Sequence, residues 1–123
     1  MEFHQKTFWI CGSLLAMLAI VAGAFGSHYL KNKLSIENLN IFEVAVRYQM
    51  YHALALIGLA IALRIFPSSL LITAGWLFIV GTVIFSGSLY LLILTGVKKW
   101  GAVTPIGGVL LVIGWFLSLL GGL

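Results

Sequence analysis

Four short stretches carry the side chains that could do chemistry, each set among apolar residues. Gly23 to His28 reads Gly-Ala-Phe-Gly-Ser-His, and Glu43 to His52 reads Glu-Val-Ala-Val-Arg-Tyr-Gln-Met-Tyr-His. Phe85 to Tyr90 reads Phe-Ser-Gly-Ser-Leu-Tyr, and Thr104 to Gly108 reads Thr-Pro-Ile-Gly-Gly. An imidazole changes charge near neutral pH and ligates metals, so His28 and His52 are the first candidates. On facing helices the two could hold haem or a metal, but no third ligand of the Cys, His or Asp type accompanies them. No metal and no cofactor is expected.

On a helix, Glu43 and Arg47 stand four apart and can pair. Tyr48 and His52 share the same spacing, and Gln49 lies three before His52. Ser86-Gly87-Ser88 is too short and too deep in an apolar run to read as a catalytic elbow. No serine or cysteine nucleophile has an adjacent base and orienting acid, and neither a phosphate loop nor paired carboxylates occur. The expectation is a protein that is not an enzyme, with no catalytic residue.

The elements that must position these groups follow from composition. The 123 residues are 62% hydrophobic and 8% charged, with a mean hydropathy of +1.14. Soluble domains carry about 25% charged residues, so lipid is the natural solvent. A bilayer core of about 30 Å takes about 20 helical residues, and four spans consume nearly the whole chain. The sequence predicts an all-α membrane protein, a four-transmembrane-helix antiparallel bundle with short loops and a single domain over residues 1–123. The predicted spans cover about residues 8–30, 44–65, 70–94 and 105–120.

Pro67-Ser68-Ser69 stops the second span and offers hydroxyl caps for the third. Thr104-Pro105 reads as an N-cap followed by proline at the first helical position. Leu34, Ile36, Leu39, Ile41 and Phe42 suggest a short helix lying flat in the headgroup region before the second span. Lys6 and the run ending Ala22-Gly23-Ala24 imitate a secretory leader, but the apolar run is too long for one and reads as a retained helix. Cys11 sits in an apolar run as a packing residue.

A net charge of +4 could suggest nucleic acid, yet Lys6, Lys31, Lys33, Arg47, Arg64, Lys98 and Lys99 scatter at helix ends, as lipid anchors do. No nucleic-acid partner is expected. The expected partners are the lipid bilayer and either further copies of the chain or a larger membrane complex. The positive-inside rule puts loops 31–43 and 96–103 in the cytoplasm of a bacterium and both termini outside the plasma (inner) membrane.

Alternating spans bring all four stretches to one end of the bundle, leaving little but Leu, Ile, Ala and Phe at the other. The expected polar cluster is His28, Glu43, Arg47, Tyr48, Gln49, His52, Ser86, Ser88, Tyr90 and Thr104. Each member also has a bland reading. Arg47 can snorkel to headgroups with Glu43 beside it, His28 can sit at the interface, and the rest can be interhelical hydrogen-bond glue. Small residues at helical spacing, Gly12, Ala16, Gly23, Gly58 and Gly108 among them, are expected to let helices approach closely.

The four stretches, together with Gly114-Trp115, resemble a family of small bacterial inner-membrane proteins catalogued as domain of unknown function 423, related to eukaryotic transmembrane protein 256. The matching patterns are Gly-Ala-Phe-Gly-x-His, Tyr-Gln-x-x-His, Phe-Ser-Gly-Ser-Leu-Tyr and Thr-Pro-x-Gly-Gly. The resemblance implies a multi-pass membrane protein with no assigned activity. Ser27 stands where the family often has alanine, and Arg47 where no fixed basic residue is expected. That shifts weight from an Arg47–Glu43 pair to His28, Tyr48, Gln49, His52, Ser86, Ser88 and Tyr90. The leading expectation is a non-enzymatic accessory or self-associating bundle. Two others stand beside it: a small oligomeric transporter or proton-linked channel using His52 and Glu43, and a lipid- or quinone-binding protein.

Overall fold

A computed structural model describes residues 2–123, and they form four helices long and apolar enough to cross a membrane. These are α1 (Glu2–Leu30), α2 (Ile36–Ile65), α3 (Ser69–Thr95) and α4 (Trp100–Gly121). The intervening loops are short, so the helices alternate in direction. In space α1 packs on α2, α2 on α3 and α3 on α4, while α1 and α4 make no approach to each other. The bundle is therefore open along one side. α2 is the least hydropathic span and the most enclosed, with 39% of its apolar window buried against 17% for α1 and α4.

Local chemistry sets the helix ends. Ser68 caps α3 as expected, its hydroxyl accepting from the Leu70 amide at 3.2 Å. α3 stops at Gly96, whose φ of 69° lies in the left-handed region that glycine tolerates at no steric cost. Ser35 caps α2 by accepting from the Asn38 amide at 3.1 Å, and that cap corrects the sequence reading. Residues 36–42 do not lie flat at the surface; they are the first two turns of α2. No breaker separates them from Val44, and Phe42 is buried with its ring end against Gly26 of α1.

The start of α4 differs too. Thr104 and Pro105 lie within the helix rather than at its cap, because a tighter turn precedes them. Trp100, Gly101 and Ala102 donate to the carbonyls of Val97, Lys98 and Lys99 at 3.0–3.3 Å. Pro105 falls in the second turn, where its missing N–H deprives only the Gly101 carbonyl. Within α1, Val21–Gly26 form one π-helical stretch. Such single wide turns often sit at functional sites.

The helices touch through glycines, though not always the expected ones. A Cβ on Gly12 would lie 2.7 Å from the Ala53 carbonyl oxygen, and one on Gly23 would lie 3.1 Å from Val46, so α1 lies tight on α2. Ala16 is half-buried between these positions. Gly58 departs from the expectation: nothing lies within 4 Å of its Cβ position. It falls off the α2 stripe of Gln49, His52, Leu56, Ala60 and Leu63 that meets the other helices, and lines an open cleft instead. Gly108 has only loose contact with the Phe85 ring, whereas a Cβ on neighbouring Gly107 would come 2.5 Å from the Phe85 amide nitrogen. Of the α4 glycines, Gly107 has the tightest approach to the α3 backbone.

Away from the polar stretches the core is Phe8, Leu56, Leu59, Ala60, Leu63, Leu71, Ala74, Phe78 and Leu111. Phe8 lies directly against Gly75, which has no room for a side chain. One polar group intrudes at this end: His4, 5.3 Å from Phe3 and 6.3 Å from Trp76, ring centroid to centroid in edge-on geometry. The sequence reading, little but Leu, Ile, Ala and Phe at that end, left His4 and Trp76 out.

Candidate functional site

α2 supplies the hub. Gln49 and His52 stand three apart on its inward face, and both are buried. The Gln49 Nε2 donates to the Leu15 carbonyl of α1 at 2.9 Å, and its Oε1 accepts from the Tyr90 hydroxyl of α3 at 2.7 Å. The His52 Nδ1 bonds the Tyr48 carbonyl at 2.7 Å, and its Nε2 lies 3.0 Å from the Trp115 indole nitrogen of α4. A carbonyl only accepts and an indole N–H only donates. His52 therefore carries its proton on Nδ1 and offers a lone pair at Nε2. One turn of α2 thus reaches all three other helices.

Three hydroxyls add separate ties between helices. Ser86 donates to the Ala45 carbonyl at 2.7 Å, tying α3 to α2 in a fully buried position. Ser88 and Thr104 lie 2.6 Å apart and tie α3 to α4. Ser88 can also donate to the Phe85 carbonyl at 2.9 Å, and Thr104 to the Trp100 carbonyl at 3.3 Å. Every partner of these three is a carbonyl or another hydroxyl, and no base touches them. None is activated as a nucleophile.

The remaining expected members lie elsewhere. His28 is exposed at the end of α1, away from Gln49 and His52. Glu43 and Arg47 pair at 3.5 Å off the inward face of α2, Arg47 exposed and Glu43 half-buried, beside Gly23 and Ser27 of α1. Tyr48 is 40% exposed, its ring stacked on Phe85 at 4.7 Å, and only its carbonyl joins the network. The expected single cluster is thus two groups. Gln49, His52, Ser86, Ser88, Tyr90 and Thr104 are tied between helices, while His28, Glu43, Arg47 and the Tyr48 ring lie outside.

Depth also departs from the sequence reading. Counted from Val44, His52 would lie about 12 Å into its helix; because α2 begins at Ile36, it lies about 24 Å from that end and about 20 Å from the other. The hub is at mid-depth rather than at one pole. Sequence reasoning missed three participants. The Leu15 and Ala45 carbonyls carry no residue-type signal. Trp115 did carry one, since an indole in mid-span must find an acceptor for its N–H. No group of three or more potential metal ligands occurs among the described residues.

Three of the four stretches build this site, and all four lie within the region matched to a known family. A family model described as "Protein of unknown function (DUF423)" matches residues 22–108. A UPF0382 membrane protein of Staphylococcus saprophyticus is 50% identical over 118 residues, covering 95% of this chain and 97% of its own length. One from Staphylococcus epidermidis is 53% identical over 112 residues, 90% of each chain. The UPF0382 membrane protein YwdK of Bacillus subtilis is 43% identical over 114 residues, 92% of this chain and 93% of its own. No solved structure matches. By its four helices and its match across the polar stretches, the chain is a membrane protein and belongs to the DUF423 family.

Proposed function

We propose that this protein acts without chemistry of its own, as a helical bundle that serves a larger membrane assembly or associates with copies of itself. The observation that carries this reading is the hub: between them Gln49 and His52 send a hydrogen bond to each of α1, α3 and α4. Buried polar groups so engaged fix the mutual register of helices, each bond contributing on the order of 1 kcal/mol in a bilayer. A translocation path draws less support, because beyond His52 the interior is filled by Leu56, Leu63, Phe78 and Phe8. Apolar faces of α1 (Leu14, Met17, Val21) and α4 (Val109, Val112, Phe116) stay exposed, available to lipid or to other helices.

We place the protein in the bacterial plasma membrane with loops 31–35 and 96–99 in the cytoplasm. Lys31, Lys33, Lys98 and Lys99 lie at that end, against Lys6 and Arg64 at the other, and Lys6 is offset by Glu2 at 3.2 Å.

The test is extraction of wild type and His52→Leu in mild detergent, reading melting temperature and everything that stays bound. The expected result is a lower melting temperature for the variant together with loss of the associated chains. Solute or proton flux in liposomes of the pure protein, abolished by His52→Leu at an unchanged melting temperature, would overturn the proposal.

A further inference from the structure

The half of the bundle nearest the 31–35 loop contains a cleft of about 360 Å³ between α1, α2 and α3, at the small end of ligand-site volumes. Leu18 and Ala22 of α1, Phe42 of α2 and Leu94 of α3 contribute apolar walls, and Gln49 and Tyr90 are its only polar lining. Leu94 at the rim is 75% exposed, so the cleft opens toward the lipid rather than into a closed core. Ala22 belongs to the π-helical stretch of α1, the one such stretch among the described residues.

The bonding at the polar lining is incomplete in a defined way. A carboxamide has two N–H donors and two acceptor sites. Gln49, only 5% exposed, uses one donor on Leu15 and one acceptor site on Tyr90. One N–H and one lone pair remain. Tyr90 spends its single O–H on Gln49, so its oxygen is left as an acceptor. A partner here must accept one hydrogen bond and donate another. A hydroxyl is the smallest group that does both; a bare carbonyl can only accept. No charged side chain lines the cleft, and an unpaired charge in such surroundings is costly.

We propose that this cleft binds a neutral long-chain amphiphile ending in a hydroxyl. The hydroxyl accepts from Gln49 Nε2 and donates to Tyr90 Oη, while the hydrocarbon passes Ala22, Phe42 and Leu94 into the bilayer.

The probe is hexadecanol bearing a photoreactive diazirine, compared with the matching fatty acid, on the full chain in lipid nanodiscs, with labelled residues mapped by mass spectrometry. The alcohol is expected to label Leu18, Ala22 and Leu94, to be competed by plain hexadecanol, and to exceed the acid at these positions. Ala22→Phe, which fills the cleft, abolishes that labelling, and Leu94→Trp does the same from the rim should Ala22→Phe fail to fold. Tyr90→Phe lowers it about tenfold and narrows the preference for alcohol over acid, as loss of one hydrogen bond requires. Labelling spread over lipid-facing positions such as Leu14 and Val112, equal labelling by acid and alcohol, or labelling indifferent to both cleft-filling variants at wild-type melting temperature would each overturn the proposal.

Discussion

Toward the chain termini the bundle is held by shape, with Phe8 lodged against Gly75 and Phe78 against Gly114. Around Gln49 and His52 it is held by hydrogen bonds that cross from helix to helix. Lipid gives apolar helices no solvent-driven reason to associate, so each region needs its own source of cohesion. The first gains only from close fit and is hurt by added volume. The second gains from satisfied donors and acceptors and is hurt by losing a partner. The two should therefore answer differently to the same kind of substitution.

Adding volume should give the largest effect. In Gly75→Val the new side chain meets the fully buried Phe8 ring, and overpacking of this kind costs about 3 kcal/mol. Gly58→Val places the same residue where nothing lies within 4 Å, and should stay within about 0.5 kcal/mol of wild type. Unfolding of both variants in mixed micelles, followed by helical circular dichroism, measures the gap. Equal losses would mean that the valine's backbone preference, not the Phe8 contact, governs that half.

Removing a partner should give the next effect. His52 and Trp115 join α2 to α4 through a bond of 3.0 Å, while no backbone of those two helices comes close. A double-mutant cycle of His52→Leu and Trp115→Phe should show a coupling of about 1 kcal/mol. A coupling near zero would leave the ring contact of Trp115 with Phe78, 4.7 Å between centroids, as what holds α4 there.

Much of the fold was legible because its signals are local. Charge-poor runs of spanning length mark the helices, and Pro67-Ser68 marks a break that Ser68 caps. Boundaries failed where the signal was weak or misleading. Ser35 is a good cap overlooked beside a polar connector, and Thr104-Pro105 looked like a helix start although a tighter turn precedes it. The site was legible only in part, as a gathering of three of the four stretches, since Gly23 to His28 lends it no side chain. Its pairings were not, since Gln49 and Ser86 reach backbone carbonyls that any residue type would present. The placement of Glu43 and Arg47 off the inward face depends on which face of α2 packs, and a near-uniform apolar helix leaves that to its neighbours.

The smallest predicted effect probes the border between the two regions. Thr82 of α3 is buried, and its hydroxyl has no hydrogen-bond partner among the described residues. It belongs by position to the hydrogen-bonded region but draws nothing from it. A buried hydroxyl left unmade costs free energy that an apolar isostere does not incur. Thr82→Val keeps the shape and removes the unpaired oxygen, so it should leave the bundle as stable as wild type or more stable by up to about 1 kcal/mol. The same change applied to the paired hydroxyl of Thr104, 2.6 Å from Ser88, should destabilise by a similar amount. Opposite signs at two threonines, read as melting temperatures in one detergent, would show that satisfaction rather than polarity sustains this half; losses of equal size would dissolve the distinction.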